Sequence, residues 1–221
     1  MPLPTRPLSD LLPIVVPYAP GCSTYLAQQS LRLAAVTFCE KTRLWREIDT
    51  VTITGQDEPL PASAYSSIHE IESAEWEDGT VLEPVRFASF NSADLSEALP
   101  AAPIYITQSS ANTLSVVPFL TGDVRVTLIL KPLAGPEFGT SGATTSQDIQ
   151  NVIPEFMHEQ YGHQIADGAL DLLLMTPDTP FYDPKRAALH RARFQDAYVS
   201  SFNRHMRGQQ RARPRVRPNW I

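Results

Sequence analysis

Apolar side chains fall at three- and four-residue steps in three long stretches of the chain, and alternate one by one in the region between the first and the second. In the second half, Met157, Tyr161, Ile165, Gly168, Leu172 and Met175 keep helical spacing, with Pro154 at the first helical position, where no amide bond partner is lost. The pattern stops across residues 175–180, Met-Thr-Pro-Asp-Thr-Pro, whose prolines cannot continue a helix. It restarts at Asp183-Pro184, an N-cap acid followed by a first-turn proline. Ala187, Arg191, Phe194, Tyr198, Ser201 and His205 then share one face, with Ala188, Ala192 and Phe202 beside it, until Gly208. Each helix would run roughly 30 to 35 Å. The short corner predicts that the two lie side by side as a hairpin.

The first helical stretch follows the break at Pro20-Gly21. Ser23 or Thr24 can cap it, and Ala27, Leu31, Ala34, Phe38 and Trp45 hold one side. Lys41, Arg43 and Arg46 are expected in its last turn, where positive charge suits the helix dipole. Residues 1–22 before it are studded with prolines, with one short turn of helix over 11–16, and read as an arm.

From Ile48 the period changes to two. Strands are expected over 49–54, with Val51 and Ile53 on one face, and over 66–76 and 80–88 around a tight turn at Glu77-Asp78-Gly79. A short helix is expected at 92–99, closed by Pro100 and Pro103. Three more strands follow at 104–108, 113–117 and 124–131, with turns at Asn112 and at Thr121-Gly122-Asp123. Residues 133–146 are a Gly, Ser and Thr linker.

Because each long helix carries one apolar stripe, the three are expected to bury their stripes against one another. The predicted fold is therefore α+β: an elongated three-helix bundle from residues 23–47 and 147–207, an inserted small antiparallel β subdomain at 48–132, and an extended C-terminal arm at 208–221.

A chain of 221 residues with 43% hydrophobic content can bury a substantial core. Pro13 and Pro17 interrupt the longest apolar run near the start, far short of the roughly 20 residues a membrane helix needs. That region has no basic start and no small-residue cleavage site, so the expectation is a protein made and used without secretion or membrane insertion. Charge divides sharply along the chain. Up to Pro184 there are 8 Lys and Arg against 23 Asp and Glu, a balance of −15; from Lys185 on there are 10 against 1, a balance of +9. Such asymmetry marks the basic end as an interaction segment.

Candidate chemistry is thin. His158-Glu159-Gln160-Tyr161-Gly162-His163 resembles a zinc-protease string, but its histidines stand five apart, about 140° around a helix, where one metal needs four. Gly139-Thr140-Ser141-Gly142 fits neither a nucleophile elbow nor a phosphate loop. His69, His190 and His205 are scattered, with no carboxylate partner suggested by spacing. The acids Glu70, Glu72, Glu75, Glu77, Asp78 and Glu83 match the solvated face of a strand better than a cation loop. Cys22 and Cys39 have no metal-ligand spacing, and Cys39 reads as a small core residue. No enzyme, cofactor or metal site is expected. The last stretch is more informative: Arg204, Arg207, Arg211, Arg213, Arg215 and Arg217 occur there without lysine, Pro214 and Pro218 hold it extended, and Trp220-Ile221 follow. Guanidinium forks suit carboxylates or phosphates, and the apolar pair favours docking into a protein.

Leu-Pro-Ile-Val-Val-Pro-Tyr-Ala-Pro-Gly-Cys at 12–22, Ala-Val-Thr-Phe-Cys-Glu-Lys-Thr-Arg-Leu-Trp-Arg at 35–46 and Asp-Gly-Ala-Leu-Asp-Leu-Leu-Leu-Met-Thr-Pro at 167–177, followed by Asp183-Pro184 and Arg193-Phe194, resemble the head-to-tail adaptor (connector) proteins of tailed bacteriophages. The resemblance spans most of the chain and rests on packing and corner residues. It implies a structural virion protein of the head–tail neck, assembled in the host cytoplasm as a ring of identical copies, usually twelve. Such a ring sits beneath the portal protein and joins it to a tail or nozzle protein, with DNA passing through the centre. It places Leu31, Phe38, Trp45, Tyr161, Ile165, Leu172, Phe194 and Tyr198 in the helices that build the ring wall. Arg207, Arg211, Arg213, Arg215, Arg217, Trp220 and Ile221 then form the arm that reaches the portal. A nucleic-acid-binding protein using the basic arm, another phage structural protein, and an enzyme of unfamiliar type are the alternatives.

Overall fold

The computed structural model describes residues 3–61, 65–89, 102–133 and 151–207, apart from the side chains of 204–207. It divides into two compact units: residues 1–45 with 131–221, and residues 46–130.

The first unit is built on three long helices. α2 (Thr24–Thr42) starts at Ser23, whose hydroxyl accepts from the Leu26 amide at 3.3 Å, and ends at Arg43 in the left-handed conformation. Lys41 lies in its last turn, but Arg43 and Arg46 have left the helix. α3 (Glu155–Leu174) begins one residue after the expected start, with Pro154 as the cap. α4 (Pro184–Arg207) is capped by Asp183, whose carboxylate accepts from the amides of Lys185 and Arg186 at 3.2 and 3.1 Å. The corner between α3 and α4 closes through the Asp183 amide, which donates to the Leu174 carbonyl at 3.0 Å.

An isolated three-helix bundle is not what forms. The described residues hold four α-helices and three sheets, so the chain is α+β with strand distributed through both units. The physical reason lies at the N-terminus, where the prolines read as marks of an arm instead start short helical turns. A 3-10 turn at Leu8–Leu11 leads into α1 (Leu12–Val15), which has Pro13 in its first turn, and Pro17 opens a second 3-10 turn. Leu8, Leu11, Val15 and Ala19 are at most 1% exposed, so this segment is core. β1 (Thr5–Pro7) pairs antiparallel with β9 (Val152–Pro154), and Leu8 donates to the Asn151 carbonyl at 2.9 Å, fixing the segment beside the start of α3. The α3 stripe also differs from expectation. Ala169, Leu173 and Leu174 are buried, whereas Leu172 and Met175 are 43% and 42% exposed.

The second unit is β-rich. A three-stranded sheet has the order β2 (Arg46–Ile53), β8 (Gly122–Pro132), β4 (Ser66–Trp76); a four-stranded sheet has the order β3 (Glu58–Pro59), β7 (Thr113–Val117), β6 (Tyr105–Thr107), β5 (Glu83–Pro84). β2 and β8 are antiparallel, Arg46 opposite Ile129 and Ile53 opposite Gly122. β5 runs parallel to β6, where an antiparallel neighbour was expected. The strand expected over 80–88 is reduced to β5 and one bridge, Val81 to Glu75. The turn before it forms as read: Gly79 has φ +86° and donates to the Trp76 carbonyl at 2.8 Å, and Trp76 donates to Thr80. Thr80 hydrogen bonds hold the Asp78 carboxyl below its usual range, as Thr54 does for Glu58. Val51, Ile53, Trp76, Leu82, Leu114, Val116, Val124, Val126, Leu128 and Leu130 form the core of this unit. Gly122 is needed there, because a Cβ would meet the Trp76 ring at 2.5 Å. The short helix expected at 92–99 and most of the linker at 133–146 lie outside the described residues.

If residues 8–19 are core, Leu11→Ala should lower unfolding stability by about 2–5 kcal/mol, the usual cost of truncating a buried leucine. Urea denaturation measures it; a loss below about 0.5 kcal/mol would restore the arm.

Candidate interaction site on the helical unit

Two acids on α3 one helical turn apart, Asp167 and Asp171, meet two consecutive residues of α4, His190 and Arg191. His190 Nδ1 lies 2.6 Å from Asp167 Oδ1, with the two side chains 8% and 20% exposed. The ring of Tyr18 stands edge-on to His190, with centroids 5.9 Å apart. Arg191 Nε donates to Asp171 Oδ2 at 3.0 Å, which raises the Arg191 pKa by hydrogen bonding first and by charge second. Between the two pairs, Gly168 lets the helices approach. A Cβ there would meet three atoms of the Phe194 ring at 2.9 Å. Phe194 in turn contacts Phe38 of α2 and stands edge-on to Tyr198, at centroid distances of 6.1 and 5.5 Å.

This closure leaves a groove of ≈ 200 Å³ where α2, α3 and α4 converge, lined by Ala34 and Thr37, by Gly168, Asp171 and Leu172, and by Arg191, Phe194, Gln195 and Tyr198. Its aromatic wall is apolar, and its one carboxylate is only half used. Asp171 Oδ1 is shielded from water and receives no hydrogen bond among the described residues.

Of the residues assigned to a ring wall, Leu31, Phe38, Trp45 and Ile165 are fully buried, and Tyr161 and Phe194 are 8% and 7% exposed. They pack the interior of a single chain. Leu172 reaches the surface and Tyr198 does so partly, and both line the groove. Arg207 ends α4, its side chain outside the described residues; Arg211, Arg213, Arg215, Arg217, Trp220 and Ile221 lie outside them as well. Exposed apolar side chains that the sequence reading did not single out are Leu33 on α2 and Leu189 and Val199 on α4, 47%, 52% and 52% exposed.

His190, read as a histidine without a carboxylate partner, has one in Asp167. The signal was present in the hairpin: acids at i and i+4 on one helix face basic residues on the other once the corner sets the register. His158 and His163 sit on different faces of α3, His163 exposed and His158 half-buried with Nε2 unbonded. No group of three or more His, Cys, Asp or Glu among the described residues is placed to hold a metal ion, and no described helix is long and apolar enough to cross a membrane. Cys22 and Cys39 are both free thiols; burial pushes the Cys39 thiol far up, so it packs as an inert core atom. No protein-family model and no curated protein matches the chain.

Asp167→Ala should destabilise the protein by about 1–3 kcal/mol, because it strips the partner from a buried imidazole nitrogen. An unchanged urea midpoint would show that the pair contributes nothing.

Proposed function

We propose that the chain is a structural adaptor of a tailed-phage neck, a wall segment of a ring whose basic C-terminal segment attaches it to the portal protein. The observation that carries this reading is the arrangement of the chain. A helical unit assembled from two distant stretches is interrupted by a separate β unit, and its last helix leads directly into an arginine-rich segment. That order matches the adaptor-like motifs at 12–22, 35–46 and 167–177. α4 also fits a wall element: it buries a narrow stripe at Ala187, His190, Phe194 and Ser201, leaving Leu189 and Val199 for a neighbouring copy to cover.

Charge supports a conduit over a nucleic-acid binder. Residues 46–130 carry 3 Lys and Arg against 13 Asp and Glu, a balance of −10, so the β unit holds most of the acidity. A surface of that sign repels phosphate and lets DNA pass without gripping it. Side-by-side copies in a closed ring, twelve by the resemblance, would join portal to tail or nozzle. The isolated chain is then expected to sediment as a monomer until a portal gathers copies around its axis.

The test compares the full chain with one ending at Arg207, each mixed with its portal protein and imaged in negative stain. The expected outcome is a ring beneath the portal with the full chain only, and DNA affinity negligible for both. Attachment that survives the truncation would contradict the reading. Salt-sensitive DNA binding lost with the segment would replace it with nucleic-acid binding.

A further inference from the structure

The outer side of α4 carries a second stripe, opposite the one it buries. Lys185, Leu189, Ala192, Asp196 and Val199 follow one another at alternating steps of four and three residues, the spacing that keeps side chains along one seam of a helix, and all five are exposed. Leu189 and Val199 each leave 52% of their surface open. Lys185 and Asp196 have no side-chain partner among the described residues, and Asp196 is the one acid from Lys185 to the end of the chain. Eleven helical residues hold these two charges about 16 Å apart, too far to meet within one chain.

The stripe is complementary to its own reverse: cation, leucine, alanine, anion. A second α4 turned end for end about a two-fold axis between residues 190 and 191 sets each Lys185 opposite the other copy's Asp196, and each Leu189 opposite the other copy's Ala192. Both charges are then answered, and the small alanine makes room for the leucine at the spacing of about 8–10 Å that packed helices keep. Val199 comes level with the other copy's Tyr182, which stands 49% exposed just ahead of the helix. Other pairings serve the charges worse. A parallel pair sets Asp196 on Asp196 and Lys185 on Lys185, and an antiparallel pair centred on Phe194 sets them against Ala192 and Asn203.

We infer that this face of α4 is a docking surface for a second copy of the chain, joined antiparallel about a two-fold axis, with Lys185 and Asp196 paired across the contact on either side of Leu189 and Ala192. One helix seam is small beside the roughly 800 Å² per partner of a standard interface, so the pair forms with a dissociation constant on the order of 100 µM and the dilute chain stays a monomer. A contact of this symmetry ends at two copies. It covers Leu189 and Val199 on free copies without starting an open-ended assembly, and a neighbour in a ring would have to displace it. The inference goes beyond the adaptor reading and does not rest on it.

Sedimentation equilibrium of the full chain tests this, with about a tenth of the chain expected in dimers at roughly 5 µM and about three quarters at roughly 500 µM. Lys185→Asp and Asp196→Lys each set like charges against one another and should weaken pairing about tenfold or more, while the double variant Lys185→Asp/Asp196→Lys should restore it. Leu189→Glu keeps both charges but removes the apolar centre, and so reads the same contact if a charge reversal fails to fold; it too should weaken pairing. A chain that stays monomeric throughout the range would overturn the proposal, by leaving the face to a different protein. A double variant that pairs no better than the singles would place the contact elsewhere, and species larger than dimers would show a contact that is not two-fold; either result also overturns it. None of these outcomes bears on the portal-attachment test.

Discussion

The ring of Phe194 lies against the bare backbone of Gly168, and the geometry of the helical unit follows from that contact. With no side chain at Gly168, α3 and α4 approach closely enough for Asp167 to meet His190 on one side and for Asp171 to meet Arg191 on the other. The same ring reaches Phe38, so α2 is held by the residue that closes the hairpin. The pairs differ in weight. Asp167 and His190 are largely shielded, so their hydrogen bond has few competing waters. Arg191 is half-exposed, and its ion pair adds little to stability on its own. Its effect is on position: it holds one Asp171 oxygen to α4 at 3.0 Å, while the other is shielded from water and receives no hydrogen bond among the described residues.

The long helices were legible in the sequence because their signals are local. Ser23 and Asp183 cap as their side chains predict, and the prolines between 175 and 184 end one helix and start the next. β4 and β7 also fall where alternation placed them. What was not legible depends on partners far along the chain. The fate of residues 5–19 is decided by β9 and α3, about 150 residues away, so prolines that look like an arm become the first turns of buried helical segments. The parallel β5–β6 pair is likewise fixed by tertiary packing, which no period-two pattern encodes. For the candidate site, the i, i+4 spacing of Asp167 and Asp171 was present in the sequence but was not singled out there. Only the hairpin register shows that His190 and Arg191 stand opposite them.

Burial also limits what the helical residues can do for assembly. A side chain such as Leu31 or Ile165, with no exposed surface, cannot contact a neighbour unless the chain opens. In the proposed ring, a seam would instead use exposed side chains such as Leu33 of α2, Leu172 of α3 and Leu189 and Val199 of α4. The division of charge has a similar logic. The β unit holds most of the negative charge and the last 37 residues hold a net +9, so in the proposed ring attraction within and between copies would have to be managed as well as attraction to the portal.

The most direct measurement of the central contact is a double-mutant cycle on unfolding free energy, using Gly168→Ala, Phe194→Leu and the pair. If Phe194 rests on the missing Cβ of Gly168, the smaller leucine accommodates the added methyl. The pair then costs less than the sum of the singles by about 1 kcal/mol or more. Costs that add to within about 0.3–0.5 kcal/mol would mean that the two positions do not meet in this way, and the account of how the hairpin closes would be wrong.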